Sequence, residues 1–259
     1  MSFVEQNSEF YDLEYYLSLE YRCLSGAHSG YIKNFLKNIK TLNLKGKRVL
    51  DVGCGGGFFT QKIAESGGKV LGCDYSPWAV KFARERYPDL KIVQHSGYEI
   101  DKLGINNLDF IFALEVVEHM SRPEIFFEKA LKMLNSESGR LIITTNNEEY
   151  LFKKVPFNHV QNILMRTSCG GRAQRLIDKV EKRRRQFKNY HQGHINLDSA
   201  ETWVERIKKS GFEIEKVSGF PDIAIPLLDA FGKVFPFFSR GNHVLVIAKP
   251  LLTLTIKKL

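Results

Sequence analysis

Two clusters in this 259-residue chain hold residue types that could do chemistry. The first is Val49-Leu-Asp-Val-Gly-Cys-Gly-Gly-Gly-Phe-Phe, with glycines at 53, 55 and 57 and an acid at Asp51. A glycine-rich turn between a strand and a helix lets the backbone pass close beneath a nucleotide-like ligand. The spacing does not match the dinucleotide fingerprint. Counted from Gly53, the sixth position is Phe58, too large for the close helix–strand contact that pattern requires. The second cluster is Leu114-Glu-Val-Val-Glu-His-Met. If a helical turn begins there, residues at i, i+3 and i+4 share a face, so Glu115, Glu118 and His119 converge. Two carboxylates and an imidazole suit Mg²⁺, Mn²⁺ or Zn²⁺. His119 acting as a metal-free general base is the alternative.

The glycine spacing, with Asp51 two residues upstream, resembles motif I of class I S-adenosylmethionine-dependent methyltransferases. The resemblance implies that Gly53, Gly55 and Gly57 underlie the methionine end of the cofactor. It gives Asp74, 23 residues after Asp51, the two ribose hydroxyls, and lays Tyr75 on the adenine face. Near the adenine the family often carries Asp-Ala, where this chain has Ser96-Gly97 and offers the Gly97 amide. Leu114 and Glu115 complete the implied cofactor contacts.

Glu-x-x-Glu-His itself resembles the metal triad of two methyltransferase families. One is the ubiquinone-biosynthesis O-methyltransferases. The other is the small-RNA 3′-terminal 2′-O-methyltransferases, in which a further histidine follows the fifth strand. His191 and His194 lie in that region here, in Tyr190-His-Gln-Gly-His, and His194 is the expected fourth ligand. The expected catalytic set is Glu118, His119 and His194, and the expected metal set is Glu115, Glu118, His119 and His194. The chemistry is consistent with a metal, because a neutral hydroxyl is a poor nucleophile and a divalent ion lowers its pKa. Many members of this fold have a Glu-His pair here that binds no metal, the glutamate instead capping the helix or touching the cofactor. The first functional expectation is O-methylation of a small hydroxylated acceptor, quinone- or catechol-like or lipid-linked. RNA 2′-O-methylation with the same triad is the alternative. A non-catalytic S-adenosylmethionine-binding protein is a third reading, against which the intact Asp51, Asp74 and glycines argue.

The elements that must position these residues can be read from the pattern. Strands are expected at 48–52, 70–74, 90–95, 108–114 and 139–145. Helices are expected at 58–66, 76–87 and 123–134, with Ser76 as N-cap and Pro77 at the first helical position. Strands alternating with helices imply βαβ units and a mostly parallel sheet covered on both faces. A helix over 198–210 and strands at 212–217 and 242–249 close the sheet. The expected class is thus α/β, a Rossmann-like seven-stranded sheet with its last pair antiparallel. Residues 1–44 read as an N-terminal helical cap and 45–250 as the catalytic domain. Within that domain 146–195 read as a helical lid insertion, and 251–259 as a tail. Phe58, Phe59, Trp78, Phe126 and Phe127 fall at helical spacing and are expected in the core.

Composition narrows the partners. Thirty-eight basic against 29 acidic residues leave a net charge of +9, which favours phosphates, nucleic acid or an anionic membrane surface. Much of the excess sits between Arg172 and Lys188, where eight basic residues face Asp178 and Glu181. That run reads as a solvated helix face, or as a contact for RNA phosphates or an anionic bilayer. Aromatic interleaving is sparse there, only Phe187 and Tyr190. The tract Phe220–Phe238 suits an apolar acceptor or a membrane contact better than RNA. Cys23, Cys54, Cys73 and Cys169 are far apart and form no disulfide framework, which suits a reducing cytosol. The N-terminal residues lack a signal-peptide pattern, and no apolar stretch would span a bilayer. The expected location is the cytoplasm, with peripheral contact at the inner membrane surface.

Overall fold

The computed structural model describes residues 29–146, 196, 198–220 and 243–251. In chain order these form α1 (Ser29–Thr41), β1 (Arg48–Val52), α2 (Phe58–Glu65), β2 (Lys69–Asp74), α3 (Pro77–Arg86) and β3 (Lys91–Gln94). They continue with β4 (Phe110–Leu114), α4 (Pro123–Met133), β5 (Arg140–Asn146), α5 (Ala200–Lys209), β6 (Phe212–Phe220) and β7 (His243–Pro250). Two 3₁₀ turns, Gly97–Leu103 and Val117–His119, fall at the ends of β3 and β4. The expected alternation is present, and the strand and helix bounds agree to within a few residues.

The seven strands lie in the order β3-β2-β1-β4-β5-β7-β6. The first five run parallel, and β7 is antiparallel to both β5 and β6. Strand order reverses direction at β1, which has β2 on one side and β4 on the other. In an open α/β sheet the crevice at such a switch point, outside the carboxyl ends of the strands, is where ligands bind.

Side-chain alternation divides each strand between two cores. Leu50, Val52, Ile111, Ala113, Leu141 and Ile143 pack under Phe126, Phe127 and Met133 of α4 and Trp203 and Ile207 of α5. Val49, Phe110, Phe112, Leu114 and Ile142 face the other way, against Phe35 and Ile39 of α1 and Ile63 of α2. Burial of each such side chain stabilises the fold by roughly 1.5–3 kcal/mol relative to exposure. In the part of the 1–44 region that is described, α1 shares the core of the sheet. Helix α3 starts as expected: the Ser76 hydroxyl accepts the Ala79 N–H at 3.3 Å, with Pro77 at the first position.

Two expectations are corrected. Phe126 and Phe127 are fully buried, but Trp78 is 44% exposed, with the Lys81 ammonium 5.9 Å from its ring centroid. Trp78 sits in the first turn of α3, at the rim of the face that buries Ala79, Val80, Phe82 and Ala83, so helical spacing alone misplaced it. Phe58 is only partly buried, whereas Phe59, also partly buried, packs against the core with its ring centroid 4.6 Å from that of Phe35. The expected lid, the Arg172–Lys188 run, His191, His194 and all of the apolar tract after Phe220 lie outside the described residues. Among the described residues no helix is long and apolar enough to cross a membrane.

Candidate functional site

The loop after β1 is shaped by left-handed glycines: φ is +68° at Gly53, +52° at Gly55 and +83° at Gly57. Residues with a Cβ pay roughly 1–2 kcal/mol to adopt that conformation. The Gly53 and Cys54 amides both donate to the Cys73 carbonyl, at 2.8 and 3.0 Å, which lifts the chain out of the ladder at the end of β1. Gly57 also packs closely, since a Cβ there would stand 3.1 Å from both Ala83 and Tyr87 side-chain atoms. At Gly53 a Cβ would come 2.4 Å from Val116 Cγ2. The first glycine is therefore required by the protein's own packing and by its backbone.

Two carboxylates lie under and beside this loop. Asp74, at the end of β2, accepts the Gly55 N–H on one oxygen (2.9 Å) and the Ser76 N–H on the other (2.8 Å). It thus ties the loop to the start of α3 and keeps lone pairs for a further donor. Burial pushes its carboxyl above the usual carboxylate range, with the backbone donors pulling the other way. Asp51 is 2% exposed and accepts the Thr60 hydroxyl at 2.6 Å. Burial pushes it up to about 7, opposed by Thr60 and reinforced by Asp74. Two desolvated acids at the carboxyl ends of adjacent strands suit a ligand that brings positive charge and hydroxyl donors. Cys54 and Cys73 are buried, and burial pushes both thiols upward.

The remaining expected cofactor residues line the same edge. Tyr75 is half-buried, and its carbonyl accepts from Gln94 Nε2 at 3.2 Å. The Ser96 hydroxyl accepts the Tyr98 N–H at 3.2 Å and caps the 3₁₀ turn. A Cβ on Gly97 would lie 2.5 Å from Met120 Cε, the flexible end of a side chain packed over this position. The Leu114 side chain belongs to the core beneath α1. Glu115 is half-buried and left-handed, φ +56°, with its N–H donated to the Thr144 carbonyl at 2.9 Å.

The expected convergence of Glu115, Glu118 and His119 fails in its geometry. The helical segment begins only at Val117 and is a three-residue 3₁₀ turn, so Glu115 lies outside it and the i, i+3, i+4 rule does not apply. Glu118 is fully buried, with Oε2 accepting the Thr145 hydroxyl at 3.0 Å, whereas His119 is half-exposed. Among the described residues no three His, Cys, Asp or Glu side chains are placed to hold a metal ion. The expected metal set of Glu115, Glu118, His119 and His194 is not decided by this, because His194 lies outside the described residues.

Reading the sequence missed Thr145, Val116, Met120 and Asn196. Thr144-Thr145, a polar pair following the apolar Leu141–Ile143 of β5, was the one available signal. Asn196 donates its main-chain N–H to the Glu118 carbonyl at 3.0 Å and its side-chain amide to the Met120 carbonyl. That pairing spans 76 residues and leaves no local pattern.

The family model described as "Methyltransferase domain" matches residues 25–217. The ubiquinone biosynthesis O-methyltransferase of Azorhizobium caulinodans is 31% identical over 121 residues, 45% of this chain and 47% of that protein. Its namesake in Coxiella burnetii (strain Dugway 5J108-111) is 30% identical over 129 residues, 48% of this chain and 55% of that protein. The chain spans about half the length of the curated relatives it matches. Among solved structures, an S-adenosylmethionine-dependent methyltransferase from Thermotoga maritima aligns with a TM-score of 0.60 at 17% identity, covering 92% of this chain and 97% of that one. A TehB-like S-adenosylmethionine-dependent methyltransferase from Corynebacterium glutamicum aligns with a TM-score of 0.57 at 14% identity, covering 95% and 99%. At those identities the structural likeness shows the fold.

Proposed function

Because this chain belongs to the S-adenosylmethionine-dependent methyltransferase family, we propose that it transfers the cofactor's methyl group to the oxygen of a small hydroxylated acceptor, catechol-like or lipid-linked. The observation that carries the reading is the similarity, near 30% identity, to proteins named ubiquinone biosynthesis O-methyltransferases. The acids beneath the loop support the cofactor assignment, since S-adenosylmethionine carries a sulfonium, an ammonium and two ribose hydroxyls. Asp74 would hold the hydroxyls, with Gly53, Gly55 and Gly57 forming the bed below. When bound, the cofactor supplies an electrophilic methyl group.

The protein's task is then to orient the acceptor oxygen and receive its proton. His119 is the half-exposed base at the carboxyl end of β4, and an imidazole nitrogen there can take the proton as the oxygen attacks. Holding acceptor and cofactor in line would supply much of the remaining rate. RNA 2′-O-methylation is the alternative; the small acceptor is preferred because the similar proteins are named ubiquinone biosynthesis O-methyltransferases.

The test is an assay of the full chain with S-adenosylmethionine and a panel of catechols and hydroxyquinones, reading S-adenosylhomocysteine and the O-methylated product. Wild type should turn over at least one of them. Asp74→Ala should lose at least tenfold in cofactor affinity by calorimetry, since charge-assisted hydrogen bonds contribute about 1.5–3 kcal/mol each. No product from any acceptor would overturn the O-methylation reading; unchanged affinity in a folded Asp74→Ala variant would overturn the ribose assignment.

A further inference from the structure

The turn that carries His119 cannot hold itself. Val117–His119 is a single 3₁₀ turn closed by two hydrogen bonds, His119 N–H to Val116 C=O (3.0 Å) and Met120 N–H to Val117 C=O (3.2 Å). Such turns have poor hydrogen-bond geometry and leave their last carbonyls needing partners. The surroundings supply what the turn lacks. Val116 is seated on Gly53, Met120 on Gly97, and the Glu118 carboxylate takes the Thr145 hydroxyl. The carbonyls of Glu118 and Met120 are both taken by Asn196, one by its main-chain N–H at 3.0 Å and one by its side-chain amide. These two carbonyls flank a single residue, His119. Val117, Glu118 and Met120 are buried, and His119 between them is partly exposed.

We propose that Asn196 is a positioning residue: by clamping the carbonyls on either side of His119, it fixes the imidazole at the mouth of the cleft. The proposal rests on the reading that this turn faces the methyl acceptor. Asn is suited to the task because one residue presents a main-chain and a side-chain donor to carbonyls two residues apart. Aspartate has nearly the same shape but would set an oxygen against the Met120 carbonyl.

The experiment uses the full chain, with Asn196→Ala and Asn196→Asp beside wild type. Catechol methylation, cofactor affinity by calorimetry and amide exchange at His119 and Met120 are measured. Both variants should lose at least tenfold in kcat while cofactor affinity changes less than twofold. Exchange at His119 and Met120 should accelerate at least tenfold, with β1 and β4 still protected, and Asn196→Asp should be no milder than Asn196→Ala. Wild-type kcat, or unchanged exchange at these two amides, would overturn the clamp. A fall in cofactor affinity matching the fall in kcat, or a general loss of protection, would show a merely structural residue and also overturn it. If wild type methylates no catechol, the acceptor reading fails, and the exchange result alone decides the clamp.

Discussion

At the scale of single residues, Asp51 is a carboxyl held far from its ordinary chemistry. Its carboxyl is raised by burial to about 7, against about 3.9 in an unfolded chain. The folded protein therefore holds a proton there that the unfolded chain releases between roughly pH 4 and 7. The corresponding stability is fully present below pH 4 and is lost as the pH rises through 7; Asp74 acts in the same direction. At about 1.4 kcal/mol per unit the Asp51 effect is on the order of a few kcal/mol. Asp51→Asn keeps an acceptor for Thr60 and removes the charge. Its melting temperature relative to wild type should rise by several degrees between pH 5 and pH 8 in ligand-free protein, read by calorimetry. A difference that stays constant with pH would refute the burial of a titrating acid at this position.

At the scale of elements, the end of β4 is wedged against the loop after β1. Glu115 takes a left-handed conformation, and the next side chain, Val116, lies over the Gly53 α-carbon. The turn after β4 and the glycine loop after β1 thus share a packing contact, and a change in one must be felt by the other. Gly53→Ala should cost about 2–5 kcal/mol, combining roughly 1–2 for the left-handed backbone with about 1–3 for the clash. Val116→Ala in the same chain removes the clashing methyl but not the backbone cost. In denaturant unfolding the double variant should therefore be at least about 1 kcal/mol more stable than the sum of the single effects predicts. Simple additivity would mean that the two residues do not meet.

At the scale of the whole molecule, the +9 charge is the feature still to be assigned a partner. Lys182, Arg183, Arg184 and Arg185 supply four of those charges in succession. Replacing the four by Gln should weaken binding to vesicles containing phosphatidylglycerol in a low-salt flotation assay, while cofactor affinity and melting temperature stay close to wild type, because solvated charges contribute little to stability. Retention of single-stranded RNA, measured in parallel, separates the two anionic partners. Wild-type behaviour in both assays would identify the run as a plain solvated face.

The sequence by itself determined the fold class, the alternation of elements and the glycine turn after β1, because each depends on information local in the chain. Periodicity marked the strands and helices. Ser76-Pro77 marked the start of α3, and the glycines marked a backbone that must turn left-handed. The three-residue turn after β4 was beyond its reach. Helical spacing predicted that Glu115, Glu118 and His119 would share a face. The tertiary structure instead buries Glu118 against Thr145 from β5 and leaves His119 half-open, because the turn takes its shape from neighbours on other strands. Exposure of Trp78 likewise depends on which face of α3 meets the sheet. What Gly53 and Gly97 accommodate, Val116 and Met120, became visible only when residues far apart in the chain were brought into contact. Asn196 shows the limit most clearly: its role is defined by two carbonyls more than 70 residues away, and only the folded chain brings them within reach.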